Sequence, residues 1–362
     1  MFPAMTAPRP VSISPADAEP RPTSTNIDLF GLSDRGRVRS DNQDQFLIAS
    51  LHKLLRVHQS SLPPEDITTL ISESRGHILL VADGVGGRPD GQAASGTVVK
   101  TIAHHVTHLM DLYRRLDSNN EATFVSELEK SVLKSHDVLV EEGNKEYGGH
   151  GGATTLTMIA ALWPHAYVIQ VGDSRCYRLR DGRLERMTED QTMAQALVEQ
   201  GALTETEARR SPLRGILASA LGGRDMTPRI HATDCRWDDV VLLCTDGLTR
   251  HVRDEEIEAE LQAIRTAPES CRRLIQLALD RGGEDNVTVV IGRLKNKPQG
   301  VSPRAGRPVR AAVAAATSPA DSPPQTSSAA CTDAAACCRH RSRDCGSDTP
   351  SAKTAGSHRR TR

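Results

Sequence analysis

Short apolar runs of strand length recur along the chain, separated by turn residues. They are rich in β-branched residues, and most are followed by Asp, Gly or Ser, which is typical of buried strands. The pattern predicts six strands: 27–33 (IDLFGLS), 77–83 (HILLVAD), 154–162 (TTLTMIAAL), 166–173 (AYVIQVGD), 240–246 (VVLLCTD) and 286–294 (NVTVVIGRL).

Helical periodicity appears in three places. It covers 91–116 and 120–146 after the second strand, and 269–279 before the last one. The first stretch carries apolar residues at helical spacing and His, Lys and Arg on its other face. Helices grouped between sets of strands, rather than alternating with single strands, favour antiparallel sheets with helices packed outside. We therefore predict an α+β fold, a four-layer αββα sandwich of two antiparallel sheets flanked by helices.

Composition changes sharply at both ends of this pattern. Residues 1–24 are rich in Pro, Ser, Thr and Ala, and residues 297–362 are rich in Ala, Ser, Pro and Arg, so both are predicted to be disordered. A single domain is predicted over 25–296. Within it, about 52–76 looks like an inserted loop after a hairpin strand.

Charge is distributed unevenly along the 362 residues. The net charge is −1, but 297–362 hold eleven Lys or Arg against four Asp, a balance of +7 that leaves −8 for 1–296. An acidic body and scarce aromatic residues argue against nucleic acid as a partner. No apolar stretch is long enough to cross a bilayer and no signal-type segment begins the sequence, so we expect no membrane span and a cytoplasmic location.

The eight cysteines divide into two groups of four. Those of the domain lie in apolar or helical patterns without paired spacing, which indicates reduced core residues. Those of the tail, with His340 and His358, have the spacing C-x5-CC-x6-C, which matches no standard zinc pattern and favours a disordered segment.

Acidic residues recur at the ends of the predicted strands. Asp83, Asp173 and Asp246 each end an apolar run and precede a small residue, Asp285 comes just before the last strand, and Asp44 lies between two strands. One such ending is ordinary turn chemistry. The repetition suggests carboxylates that meet at one edge of the sheets.

Carboxylates brought together repel one another and need a cation to stay ionised. Mg²⁺ and Mn²⁺ prefer such oxygen ligands, and glycine beside Asp83 lets the carbonyl of Gly84 approach an ion. A pair of these ions is a known device for hydrolysing phosphate esters. Arg39 is then a candidate to hold a phosphate by its fork of hydrogen bonds, or else a solvated surface residue.

Seven motifs give these residues a family context. SDRGRVRSDNQD, VADGVGG, GGATT, VGDSRCYRLRDG, TEDQT, CTDGLT and EDNVTVVI occur in the order seen in the metal-dependent protein phosphatases of type 2C, and the chain resembles a bacterial-style member over about 26–294. The resemblance implies an αββα sandwich. It also implies hydrolysis of phosphoserine and phosphothreonine in proteins by a water that bridges two Mn²⁺ or Mg²⁺ ions.

The same resemblance assigns roles to individual residues. Asp83 should bridge both metals, the Gly84 carbonyl should bind one, and Asp246 and Asp285 should complete the ligands of the first metal. Asp44 should support the site, and Arg39 should hold the substrate phosphate. Asp173 matches an acid that can hold a weaker third metal with Asp246, whereas Asn286, Gly152 and Thr154 should be structural.

Two positions depart from the family pattern. Gln43 stands where many members have Glu, which removes a charge near the metals, although bacterial relatives also carry Gln. Val85 stands where animal members have a His proposed as general acid, so leaving-group protonation must come from elsewhere.

Residues 192–221 fit the family's flap, with two short helices expected there. Arg209, Arg210 and Arg214 are placed either to influence which phosphoprotein docks or simply to form a solvated basic face.

The leading hypothesis is a protein serine/threonine phosphatase that acts on phosphorylated proteins, with Ser/Thr kinases and their substrates as partners, and that is a monomer. A catalytically weak phosphoprotein-binding module is an alternative, supported by Gln43 alone. A phosphatase dedicated to one regulatory protein is another.

Overall fold

The structure is a computed structural model that describes residues 21–52, 74–85, 89–113, 121–146, 151–263 and 265–295. The predicted disorder of 1–20 and 297–362, and most of the predicted inserted loop, lie outside these residues. Two edges of these predictions are wrong: Ser24 begins a 3-10 turn (Ser24–Asn26), and Ser74 to Gly76 already belong to a strand.

Strands and helices alternate in groups along the described chain. The strands are β1 (Ile27–Asp34), β2 (Gln45–His52), β3 (Ser74–Ala82), β4 (Gly84–Val85), β5 (Ala153–Thr154), β6 (Leu156–Leu162), β7 (His165–Val171), β8 (Arg175–Arg180), β9 (Arg183–Arg186), β10 (Arg229–Asp234), β11 (Val240–Cys244) and β12 (Val287–Leu294). The helices are α1 (Pro89–Tyr113), α2 (Glu121–Glu146), α3 (Met193–Glu199), α4 (Glu205–Arg210), α5 (Asp246–Thr249), α6 (Asp254–Gln262) and α7 (Ala267–Asp280).

Two five-stranded sheets form the centre of the domain. The first sheet has the order β1-β12-β11-β8-β9 and the second has the order β10-β7-β6-β3-β2, with antiparallel pairing throughout. A two-stranded ladder joins β4 to β5.

Three apolar layers hold these elements together. One lies between the two sheets and includes Leu79, Val168 and Val290. A second packs α1 and α2 on the second sheet, through residues such as Ile102. The third packs α6 and α7 on the first sheet, through residues such as Leu274. The predicted four-layer αββα sandwich is therefore confirmed.

The sequence pattern did not predict several of the strands. β8 and β9 are rich in arginine, and β2 and β10 form the two edges of the second sheet. In β8, Arg178 and Arg180 reach Asp234 and Asp239, so their charges are neutralised by tertiary contacts that a local pattern does not show.

The first and last strands of the domain are neighbours. Ile27 of β1 lies opposite Leu294 of β12, and Asp34, at the other end of β1, lies opposite Val287. The β8–β9 hairpin turns through Asp181 and Gly182, both with positive φ (51° and 74°), which is the geometry of a tight two-residue turn.

Within the part of the chain that the structure describes, no helix is both long and apolar enough to cross a bilayer.

Candidate active site

The five predicted acids all lie at one end of the sandwich. Asp83 directly follows β3, and Asp44 directly precedes its partner β2. Asp173 follows β7. From the other sheet, Asp246 follows β11 as the first residue of α5, and Asp285 precedes β12. Both sheets therefore contribute carboxylates to this edge.

Asp44 connects the two sheets beneath the other acids. It is buried, with 3% of its surface exposed. Its Oδ2 accepts hydrogen bonds from the hydroxyls of Thr245 (2.9 Å) and Thr288 (2.7 Å), while its buried Oδ1 has no hydrogen-bond partner among the described residues.

The backbone around Asp83 is fixed by the β4–β5 ladder and its continuation. Thr155 donates its amide to the Asp83 carbonyl (2.9 Å) and accepts the Asp83 amide at its hydroxyl (3.0 Å). Thr154 donates its hydroxyl to the same carbonyl (2.8 Å). The Asp83 carboxylate is thus left to face the site.

Gly84 lies where the backbone of α1 approaches the site. A side chain there would place its Cβ 2.6 Å from the Gly91 carbonyl carbon and 3.0 Å from Gln43 Cβ. Only glycine fits without moving backbone atoms.

Asp285 is covered by two arginines. Arg39 forks onto it, with Nε 2.8 Å from Oδ1 and Nη2 2.9 Å from Oδ2. Arg250 also donates Nη1 to Oδ2 (3.1 Å), and its Nη2 donates to Asp246 Oδ2. The second oxygen of Asp246, Oδ1, is buried and has no hydrogen-bond partner.

Electrostatic strain in the cluster appears as raised pKa values. Burial, helped by the charges of Asp246 and Asp285, raises the pKa of Asp44 to about 7 although its two threonine hydrogen bonds lower it. Burial and the charges of Asp246 and Asp190 raise the pKa of Asp173 to about 8, with Arg250 acting in the opposite direction.

The same causes act on the other two buried acids. Burial, then the charges of Asp44 and Asp246, raise the pKa of Asp83 well above its ordinary value. Burial raises the pKa of Asp246 against the lowering effect of Arg250. The protein alone does not supply enough positive charge for these carboxylates to ionise at their usual pH.

The loop before β2, residues 35–43, is tied to the site by Asn286. Its side chain accepts the Gln43 amide (2.9 Å) and donates to the carbonyls of Arg35 (2.8 Å) and Asp41 (2.9 Å). Arg39 lies within this loop, so Asn286 positions its backbone.

The predicted flap, residues 192–221, contains α3, α4 and a 3-10 turn (Pro212–Gly215), as the sequence pattern indicated. Its end is joined to the site by reciprocal backbone hydrogen bonds between Thr154 and Leu221 (2.9 Å each). Arg209 and Arg210 end α4 and are exposed, and Arg214 donates to the Arg209 carbonyl.

Three site residues were not singled out by sequence reasoning. Arg250 could have been found from its position four residues after Asp246, a spacing that brings side chains together on a helix. Thr245 and Thr288 lie within the predicted strands 240–246 and 286–294, but their shared partner Asp44 is more than 200 residues away, which no local pattern reveals.

The donor set suits a hard divalent cation. Buried carboxylate oxygens without partners remain on Asp44 and Asp246, and Gly84 leaves its backbone open to close approach. Within the described ranges, no group of three or more His, Cys, Asp or Glu side chains is arranged as a ready metal site, and Arg39 and Arg250 contact the carboxylates of Asp246 and Asp285.

Fold and site together define a class: four-layer sandwiches in which both sheets contribute carboxylates to one edge. The sequence model of the family described as Protein phosphatase 2C matches residues 56–281. The chain therefore belongs to the protein phosphatase 2C family.

Individual relatives agree with this assignment. The serine/threonine protein phosphatase PstP of Mycobacterium tuberculosis is 34% identical over 259 residues, which are 72% of this chain and 43% of that protein, so the chain matches less than half of PstP. The serine/threonine phosphatase Stp of Listeria innocua is 27% identical over 261 residues, 72% of this chain and 92% of that protein.

Solved structures show the same similarity. The crystal structure of the M. tuberculosis phosphatase PstP/Ppp superimposes with a TM-score of 0.59 at 33% identity, covering 75% of this chain and 99% of that chain. The catalytic domain of PstP in complex with two manganese ions gives a TM-score of 0.57 at 32% identity, with the same coverage.

Proposed function

We propose that the chain is a metal-dependent protein phosphatase that hydrolyses phosphoserine and phosphothreonine in proteins. The observation that carries this proposal is the meeting of five carboxylates from both sheets at one edge, two of them with buried, unpartnered oxygens. Family membership and the names of the relatives support it.

The chain's own groups would hold two Mn²⁺ or Mg²⁺ ions, a number supported by the relative that binds two manganese ions. Asp83 and the Gly84 carbonyl would bind them, Asp246 and Asp285 would complete the ligand set, and Asp44 would support the site from below. A weaker third ion would lie between Asp173 and Asp246. Bound ions of this kind activate a water and neutralise charge on phosphoryl oxygens.

Arg39 is proposed to hold the substrate phosphate. Its guanidinium already grips the carboxylate of Asp285 with two hydrogen bonds, and the same fork matches two oxygens of a phosphate. Asn286 fixes the loop that carries Arg39, so the fork is presented at the acidic edge rather than free in solvent.

Val85 ends the β4 strand with 37% of its surface exposed, and it has no proton to give. Protonation of the leaving group must therefore come from a group other than this side chain. Gln43 is almost fully buried beside Gly84, where it adds no negative charge to the cluster.

Further expectations from the sequence stay predictions. They are a cytoplasmic location, a monomeric state, Ser/Thr kinases and their substrates as partners, and docking through the arginines of the flap.

The test is the initial rate on a phosphothreonine peptide against Mn²⁺ concentration for the wild type and Asp83→Asn. The amide cannot balance the charge of two cations, so turnover should fall by about 10²-fold or more. Asp137→Asn, on the exposed face of α2, makes the same chemical change away from the site and should keep full activity.

Chelator serves as the blank. Turnover that survived exhaustive chelation, or that Asp83→Asn retained, would contradict the proposed mechanism. No turnover at any metal concentration would favour the phosphoprotein-binding module instead.

A further inference from the structure

Arg250 lies among the acids of the site. It follows α5, four residues after Asp246, and its side chain is 40% exposed. One guanidinium nitrogen, Nη2, donates to Asp246 Oδ2, and the other, Nη1, donates to Asp285 Oδ2 at 3.1 Å. Arg250 therefore bridges two carboxylates that come from different strands of the first sheet.

Its positive charge also reaches the second sheet. The charge of Arg250 lowers the pKa of Asp173, and the charge of Asp173 in turn raises the pKa of Arg250. One guanidinium thus neutralises part of the charge of three acids. Arg39 adds a second guanidinium on Asp285, so both oxygens of that carboxylate are covered.

These contacts place the guanidinium of Arg250 on carboxylates that the proposed function assigns to divalent metal ions. A carboxylate oxygen that accepts a hydrogen bond from a guanidinium cannot also coordinate a metal ion along the same direction, and two cations at one carboxylate repel each other. Asp285 Oδ2 and Asp246 Oδ2 are the oxygens concerned.

We propose that Arg250 is a built-in counter-cation that competes with divalent metal ions for Asp246 and Asp285. This inference rests on the proposed function, because it assumes that these acids are metal ligands. In the metal-free protein Arg250 relieves the repulsion within the cluster. For metal to bind through Asp246 Oδ2 or Asp285 Oδ2, the Arg250 side chain must leave that oxygen.

Two consequences follow. Arg250 stabilises the metal-free fold and weakens the apparent affinity for metal, since binding is opposed by the contacts that must first be broken.

The experiment compares the wild type with Arg250→Gln by calorimetric titration with Mn²⁺ and by thermal unfolding in chelator. We expect Arg250→Gln to bind Mn²⁺ about ten-fold more tightly, which corresponds to the loss of a charge-assisted contact. We also expect its metal-free form to unfold at a lower temperature and to gain more from added Mn²⁺ than the wild type does.

Arg253→Gln is the matched control. Arg253 lies three residues further on, is 76% exposed and pairs with Glu256, so its replacement removes the same charge without touching the acids. It should bind Mn²⁺ as the wild type does. If Arg253→Gln raised the affinity for Mn²⁺ as much as Arg250→Gln does, the change in net charge alone would explain the effect, and the proposal would be overturned.

If Arg250→Gln does not fold, Arg250→Lys is used in the same titration instead. A lysine keeps the charge but cannot span both carboxylates with a planar fork, so its affinity for Mn²⁺ should exceed that of the wild type. If a folded variant binds Mn²⁺ with unchanged affinity while wild-type turnover depends on Mn²⁺, the proposed role of Arg250 is overturned but the proposed function is not. Absence of Mn²⁺ binding in every protein overturns the proposed function as well.

Discussion

At the scale of single residues, close approach of backbone to backbone shapes the site as much as charge does. Gly84 and Gly91 come from different segments, and their main chains lie so close that a Cβ at Gly84 would clash with the Gly91 carbonyl. A methyl group between them has no space to enter. The glycine of the Asp83-Gly84 pair is thus required by packing, in addition to any ligand role.

Replacing Gly84 by Ala should therefore push the α1 backbone away from the site. We expect a loss of about 1–3 kcal/mol in the free energy of unfolding, typical of overpacking, together with a fall in metal-dependent turnover. Chemical denaturation and peptide hydrolysis measure the two effects.

Gly96→Ala is the control for this substitution. Gly96 lies within α1, and a Cβ there would meet no heavy atom within 4 Å. Alanine should stabilise the helix by about 0.5–1 kcal/mol and leave turnover unchanged. Equal effects at both glycines would contradict the close-packing argument.

Asp44 precedes β2, which the apolar pattern missed, but each of the other four acids lies at or next to a predicted strand and could be recognised in the sequence. Their partners could not. Arg39 meets Asp285 across 246 positions, and Thr288 meets Asp44 across 244. Such contacts depend on how the sheets stack, and hydrophobic periodicity carries no information about that stacking.

At the scale of elements, the loop 35–43 shows how one side chain can hold a whole segment. Asn286 makes its three hydrogen bonds to the backbone of this loop, at its two ends and near its middle. The side chain is 5% exposed, so water does not replace these bonds. The position of Arg39 consequently depends on a residue outside its own segment.

Asn286→Ala should release this loop. Loss of the side chain leaves a buried amide and two carbonyls without partners, so we expect a destabilisation of about 2–4 kcal/mol. If Arg39 holds the phosphate, KM for a phosphothreonine peptide should also rise several-fold. Denaturation and steady-state kinetics in saturating Mn²⁺ test both expectations.

Asn144→Ala, at an exposed position of α2, is the corresponding control and should change neither quantity. A destabilised Asn286→Ala protein with unchanged KM would show that the loop does not position the substrate.

Strand prediction succeeded for five strands inside the sheets and for the edge strand β1, and it failed for the edge strands β2, β9 and β10 and for the arginine-rich β8. β6, β7, β11 and β12 lie inside their sheets and read as continuous apolar runs. β9 and β10 are edges, and β8 carries alternate arginines. The helix α7 was predicted at 269–279, close to its observed limits Ala267–Asp280, whereas α6 was not predicted.

At the scale of the whole molecule, the site belongs to neither sheet alone. Asp83, Asp44 and Asp173 adjoin strands of the second sheet, and Asp246 and Asp285 adjoin strands of the first. The Asp44 bonds to Thr245 and Thr288 join the two sets directly. The acids therefore come together only when the two sheets stack correctly.

The described residues, of which Lys295 is the last, contain every proposed site residue. Deleting residues 300–362 should leave kcat and KM for a small phosphothreonine peptide nearly unchanged, because no proposed ligand is removed. The full chain is the reference, and a large fall in either constant would show that the tail contributes to catalysis.

The pairing of β1 with β12 also has a use in protein engineering. Asn26 and Lys295 are hydrogen-bonded neighbours, at the end of the pair away from Asp285. A short linker can thus join the two ends of the described domain. New termini can be opened at the exposed Asp181-Gly182 turn, which β8, about 20 Å long, separates from Asp173. The fold thereby permits a circularly permuted form of the domain, in which a fusion partner would attach at the Asp181-Gly182 turn.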